Sequence, residues 1–200
     1  MQKIAPVWKW LLLLALAAGA IALAFHFDPT VRHWLATHSN RTAKMVMRYV
    51  SHYGDWPEHV IAGLVVIAIA AIRGSKRWVQ IGLTMIIACA LAGVIARGVK
   101  IATGRARPTV KHELGWNGPR FSPKYNSFPS GHTAATTGFF GVLLFANRRI
   151  GLALLPIPLA IAFSRMYVAA HYFSDVVCAA ILGIFCAWLC ARWRPPPIAT

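Results

Sequence analysis

Residues 78–108 read WVQIGLTMIIACALAGVIARGVKIATGRARP. From Trp78 to Ala96 no position is charged. That is the length of helix, about 20 residues, that crosses a bilayer's hydrocarbon core. The charges arrive at its end: Lys100 closes the span, Gly104 loosens it, and Arg105 and Arg107-Pro108 follow. Cations are costly at membrane depth, so a group of them at the mouth of a span is a functional feature by default.

The rest of the chain repeats this plan. Apolar runs cover about 7–25, 57–72, 78–97, 133–147, 150–165 and 171–191, and 58% of all residues are hydrophobic, where about 45–50% is usual. The expected fold is all-α: a six-transmembrane helical bundle forming one integral-membrane domain over 1–200, with its signature region at 100–175. The first run is a retained span, being longer than the ~7–15 residues of a signal core, and Asp28-Pro29 are expected to end it. Pro156 and Pro158 are expected to kink the fifth span. The proline-rich tail, 194–200, reads as disordered. Between the first two spans, Met45, Val46, Tyr49, Val50 and Tyr53 recur at helical spacing beside a stripe of Arg41, Lys44 and Arg48. That pattern predicts a short amphipathic helix over 40–53, either in the interface or packed on the bundle.

The net charge of +16 would suggest nucleic acid in a soluble protein. Here the cations sit in short connections between spans, so phosphate substrates and anionic membrane lipids are the expected partners, with no nucleic acid. Cys89, Cys178, Cys186 and Cys190 all lie inside apolar runs and read as small hydrophobes, not as disulfides or metal ligands. Nothing in the pattern sets an oligomeric state.

Three strings at span ends carry the chemistry. Lys100…Arg107-Pro108 supplies charge, Arg as a two-donor fork and Lys as a compact cation. Arg105, beside them, is the alternative phosphate contact but reads first as a solvated or headgroup-facing cation. Pro129-Ser130-Gly131-His132 opens an apolar run as a helix start does, with backbone N–H groups and a glycine suited to an oxyanion. Ser164-Arg165…His171…Asp175 places His171 and Asp175 four apart, on one helix face. A carboxylate there can accept Nδ1–H and leave Nε2 free to attack. Each string alone has a bland reading: snorkelling cations, a capped turn, a buried polar pair.

Together they match Lys-x6-Arg-Pro, Pro-Ser-Gly-His and Ser-Arg-x5-His-x3-Asp without departure, and the chain resembles the type-2 phosphatidic acid phosphatase superfamily. The resemblance implies a metal-independent phosphatase that needs no cofactor and passes through a phosphohistidine. By motif, His171 would be the nucleophile, Asp175 its partner and His132 the general acid. Lys100, Arg107, Ser130, Gly131 and Arg165 would hold the phosphate. The spans imply a lipid substrate, such as undecaprenyl pyrophosphate, phosphatidylglycerophosphate or a lipid A phosphate. Residues 109–128, with Trp116, Asn117, Arg120 and Tyr125, are expected to shape the headgroup pocket. A lipid phosphotransferase shares every motif. A non-enzymatic lipid-binding or transport protein would have lost one of them.

Six spans place both termini on one side. All eight histidines and all five acids then fall on the signature side, His112 and Glu113 among them, while the other side holds only Lys and Arg. The positive-inside rule puts that basic face in the cytoplasm and the signature strings outside, in the periplasm of a bacterial inner membrane.

Overall fold

The computed structural model describes residues 6–110 and 115–193. His112 and Glu113, and the tail at 194–200, lie outside the described residues. Among those described, every extended element is a helix: α1 (Val7–Thr37), α2 (Arg41–His52), α3 (Trp56–Ile72), α4 (Lys76–Thr103), α5 (Gly131–Ala146), α6 (Arg148–Ala153), α7 (Pro156–Tyr167) and α8 (Phe173–Arg192). A single 3₁₀ turn, Pro123–Tyr125, interrupts the connection from α4 to α5.

Four stretches are long and apolar enough to cross a membrane: α1, α4, α6 with α7, and α8. The pair α2 and α3, bent by 52°, brings the number to five. The remaining expected span, the run at 133–147, is α5, which has only 16 residues. Its brevity has a structural reason. It is the central helix, packed on α4 and α8, and from Thr133 to Leu143 all but Phe140 are buried. Near the site the layer between these three helices consists of Ala92, Ala96, Ala134, Ala179 and Cys186. Small side chains let helix backbones approach closely. A Cβ on Gly138 would meet the Ala88 carbonyl at 2.8 Å, and one on Gly183 would meet the Ala134 carbonyl at the same distance. Further along, Ile81, Met85, Phe139, Val142 and Leu143 fill a wider gap.

Two boundaries differ from the sequence reading. Helix α1 does not stop at Asp28-Pro29 but runs through Pro29 to Thr37. Proline removes one donor from the ladder, and Asp28 is fixed from outside by the first turn of α8, where its Oδ1 accepts from Ser174 N–H at 2.8 Å. The fifth run is two helices, with Pro156 in the first turn of α7, where a missing N–H costs nothing. The amphipathic helix forms as expected. Asn40 caps α2 by accepting from Ala43 N–H at 2.7 Å, and Met45, Val46, Tyr49 and Tyr53 remain exposed while the helix packs on α7.

The ends of the bundle are chemically distinct. Arg77 donates to the Ala146 carbonyl at 3.1 Å, joining the α3–α4 turn to the α5–α6 turn. Arg73, Lys76, Arg148 and Arg149 therefore share one end. Trp10 against Trp188, with centroids 5.3 Å apart, brings the start of α1 beside the end of α8 there. The three signature strings gather at the opposite end.

Candidate active site

Helix α4 ends at Gly104 in the left-handed region (φ 55°), where a Cβ would also strike the Gly118 carbonyl at 1.9 Å. Only glycine meets both demands. Beyond it, residues 104–107 are held by the returning loop. Ala106 N–H donates to the Gly115 carbonyl, Asn117 N–H to Gly104, Arg107 N–H to Lys124, and Ser127 N–H to Arg105. Trp116 and Asn117, expected to shape a headgroup pocket, instead bind this loop to itself.

Lys100, in the last turn of α4, is buried and donates to the Asn126 carbonyl at 3.0 Å, its Cε lying over Gly131. Ser130 caps α5. Its Oγ accepts from Thr133 Oγ1 at 2.9 Å, and its own N–H donates to the Asp175 carbonyl at 3.1 Å, which ties the second string to the third. His132 is in the first turn of α5, at the inner end of a cleft of about 590 Å³ that also reaches Lys100, Gly131 and Asp55. Arg165 stands in the last turn of α7, and its side chain donates to Ser51, at the end of α2. The Arg165 carbonyl accepts from both Ala170 and His171 N–H through a turn in which Ala169 has φ 55°. That turn carries His171 back toward Arg165, as the six-residue spacing required.

The Nε atoms of Arg107 and Arg165 are buried and donate to no acceptor among the described residues. Lys100, Arg107 and Arg165 lie close enough for their charges to act on one another, and burial works against the positive charge on Arg107. Mutually repelling cations with spare buried donors form a cradle for an anion with several oxygens.

His171 is 3% exposed, and its Nδ1 is 2.6 Å from the Ser127 carbonyl. A carbonyl only accepts, so Nδ1 carries the proton and Nε2 the lone pair. Asp175 Oδ2 is farther, 3.5 Å from Nδ1. The carboxylate expected to orient the ring is thus a near neighbour, and a backbone carbonyl is the closer acceptor. Burial lowers the His171 pKa to about 3, against the opposing pull of Asp175.

Arg105 is the main departure from the sequence reading. It is not a solvated cation. It is 9% exposed, and its guanidinium pairs with Asp175 at 2.6 Å and with Asp28 at 2.7 Å. Ser174 Oγ sits between, accepting from Arg105 at 2.7 Å and donating to Asp28 at 2.6 Å. Tyr172, Trp116 and Phe25 surround the guanidinium, their centroids 4.3, 5.1 and 5.2 Å away. Ser127, 48 residues from Asp175 in sequence, donates its hydroxyl to that carboxylate at 2.5 Å. Asp28, Ser127 and Ser174 escaped the sequence reading. Only Asp28 carried a signal, an acid at the end of an apolar run.

A model of the PAP2 superfamily matches residues 77–198. The chain belongs to that superfamily. This PAP2 chain is 31% identical over 116 residues to a lipid A 1-phosphatase of Rhizobium johnstonii, covering 56% of this chain and 47% of that one. It is 34% identical over 143 residues to a decaprenylphosphoryl-5-phosphoribose phosphatase of Mycobacterium tuberculosis, covering 68% and 72%. The chain spans about half the length of the lipid A 1-phosphatases it matches. Its fold is that of the crystal structure of a transmembrane PAP2 type phosphatidylglycerolphosphate phosphatase from Bacillus subtilis. The TM-score is 0.67 at 20% identity, over 92% of this chain and 93% of the other. Aquifex aeolicus LpxE superposes with a TM-score of 0.64, also at 20% identity, over 84% and 96%.

Proposed function

We propose that this chain is an integral-membrane phosphatase of lipid phosphates or diphosphates that works through a phosphohistidine and without metal. One observation carries the reading: a buried imidazole with its lone pair on Nε2 beside a cationic cradle with two unused arginine donors.

In this reading Lys100, Arg107, Arg165, Ser130 and the Gly131 backbone hold the transferred phosphoryl group. Nε2 of His171 attacks phosphorus, the N–P bond forms as the bond to the lipid oxygen breaks, and His132 donates a proton to that oxygen. The phosphorylated imidazole carries positive charge and keeps its Nδ1–H on the Ser127 carbonyl, with Asp175 beside it. Water then attacks phosphorus, its proton passes to His132, and the N–P bond breaks to return neutral His171 and inorganic phosphate. The atoms and protons balance, and the charge on phosphate is met by protein cations.

The substrate's chain has a place. The cleft at His132 runs between α3 and α4, past Val60, Cys89, Ala90, Gly93 and Val94. It is polar at the catalytic end and apolar toward the bilayer. A lipid with its phosphate in the cradle and its tail between these helices fits that polarity, as a phospholipid, an isoprenoid phosphate or a lipid A phosphate would. Six crossings follow if α3 and α5 count with the four long stretches. A buried central helix such as α5 crosses in fewer residues because its N-terminus ends in the site, below the bilayer surface. The active site then faces the periplasm.

The test is phosphate release by the purified chain from phosphatidate, phosphatidylglycerophosphate, undecaprenyl diphosphate and lipid A, with and without EDTA. Turnover of at least one substrate that survives EDTA is expected. His171→Ala should abolish it and His132→Ala should lower it by about 10²–10⁴. Wild-type rates in the His171 variant, or activity that returns only with added Mg²⁺ or Zn²⁺, would contradict the assignment.

A further inference from the structure

Among the described residues, one cluster of charged groups lies outside the phosphate cradle and yet touches the nucleophile's neighbours. Asp28 on α1, Arg105 after α4 and Asp175 on α8 form a contiguous cluster. One guanidinium forks to both carboxylates, one nitrogen to each, at 2.7 and 2.6 Å. Ser174 bonds to the Asp28 end through both its N–H and its Oγ. We propose that Asp28 and Arg105 are positioning residues for the nucleophile: together they hold the Asp175 carboxylate, and through it His171, while leaving the cluster with one net negative charge.

When Nε2 bonds to phosphorus the imidazole becomes a cation, inside a site already crowded with Lys100, Arg107 and Arg165. The group that can offset this is the carboxylate of Asp175. A lone Asp175 would be free to turn toward the cradle cations and leave the ring. Arg105 prevents that by gripping Oδ1, while Ser127 Oγ at 2.5 Å and Tyr172 N–H at 2.8 Å grip Oδ2. A guanidinium alone would hold Asp175 but cancel its charge at the ring. Asp28 removes that objection by pairing with the second nitrogen of the same guanidinium. Two carboxylates around one guanidinium leave the cluster with one net negative charge beside the ring. Burial makes each of these charges count, since water is not there to screen them. Breaking a buried pair on one side strands the partner, so the members act as a unit.

Two further features favour a positioning role over simple packing. Ser127 commits all three of its polar groups to this arrangement: N–H to the Arg105 carbonyl, hydroxyl to Asp175, carbonyl to His171 Nδ1. Arg105 and the nucleophile are thus joined by backbone as well as by side chain. In addition, Arg105 and Asp28 spend their side-chain bonds on each other, on Asp175 and on Ser174. Their loss should leave phosphate binding alone.

This inference rests on His171 acting as the nucleophile, and the experiment separates the two claims. Arg105→Gln, Asp28→Asn, the double variant and Arg105→Lys are purified beside wild type. Each is checked for monodisperse elution and thermal midpoint. Phosphoenzyme formation and steady-state turnover are measured on whichever of the four lipids above the wild type hydrolyses fastest, with inorganic phosphate as product inhibitor. Each neutral single variant should lower kcat and the rate of phosphoenzyme formation by about tenfold or more. KM and the phosphate inhibition constant should stay within about twofold. The double variant should fall no further than the worse single, because the second change removes a charge the first had stranded. Arg105→Lys, which keeps the charge and loses the fork, should recover part of the rate. Wild-type kcat in folded single variants would overturn the inference. So would strictly multiplicative losses, losses of kcat only in step with loss of folded protein, or a rise in KM at unchanged kcat. Absence of turnover or phosphoenzyme in the wild type would instead overturn the nucleophile assignment on which it rests.

Discussion

In the proposed mechanism His171 attacks phosphorus and so needs a lone pair at working pH, which burial favours by working against a second proton. The folded value of about 3 lies below the ordinary ~6.5 of an exposed imidazole. The unfolded chain therefore takes up a proton that the folded chain does not, and folding is opposed as pH falls. The stability is complete above about pH 6.5 and is lost below it, by up to about 1.4 kcal/mol per pH unit down to about pH 3. In detergent, the fall in thermal midpoint between pH 7.5 and pH 5 should be smaller for His171→Gln than for wild type. Parallel falls would show that His171 is not buried in the neutral form. The i, i+4 spacing made Asp175 legible as a neighbour of His171. The nearer acceptor, the Ser127 carbonyl, was not legible, since a backbone oxygen has no residue type to betray it. Arg105 was misread for a related reason. Its acids lie 77 and 70 positions away, and local pattern cannot say which carboxylates a long side chain will meet.

At the scale of elements, periodicity and punctuation were good guides. The amphipathic face of α2 and a disturbance at Pro156 could be read along the chain, though the kink expected there is a break between two helices, and α4 runs past Lys100, its expected end, to Thr103. What could not be read was where tertiary contact overrides a local stop, as when α1 passes through Pro29 with Asp28 held by the first turn of α8. The cleft between α3 and α4 was invisible for the same reason, because its wall of small residues reads equally well as close helix packing. The cleft can be tested by filling it. A Cβ at Gly93 meets nothing within 4 Å, so Gly93→Leu adds its bulk to open space and replaces a residue that costs a helix about 1 kcal/mol. The fold should survive. The kcat/KM for long-chain lipid phosphates should fall by about tenfold or more, while a short, water-soluble phosphomonoester is hydrolysed at the wild-type rate. Equal losses on both substrates would place the defect in the catalytic centre and remove the cleft's role.

The whole molecule is polarised end to end, and that polarity bears on the proposed orientation. Arg73, Lys76, Arg148 and Arg149 crowd one end of the bundle, joined by the bond from Arg77 to Ala146. Arg105 and Arg107 at the other end are bound up in ion pairs or turned toward the cradle. Translocation discriminates against short connections rich in Lys and Arg, and counts acids weakly. The catalytic end also exposes Arg41, Lys44, Arg48, Arg120 and Lys124, but these share their end with all the described acids, whereas the α3–α4 and α5–α6 turns are purely basic. The proposed orientation puts those two turns in the cytoplasm. A single cysteine at Ser122, in a background with Cys89, Cys178, Cys186 and Cys190 replaced, should react with a membrane-impermeant maleimide in intact cells, or in spheroplasts where an outer membrane intervenes. One at Arg73, which is exposed and leaves the Ser75 cap of α4 undisturbed, should react only after lysis. The reverse pattern would turn the catalytic end inward, and the substrate would then have to be a lipid phosphate of the cytoplasmic leaflet.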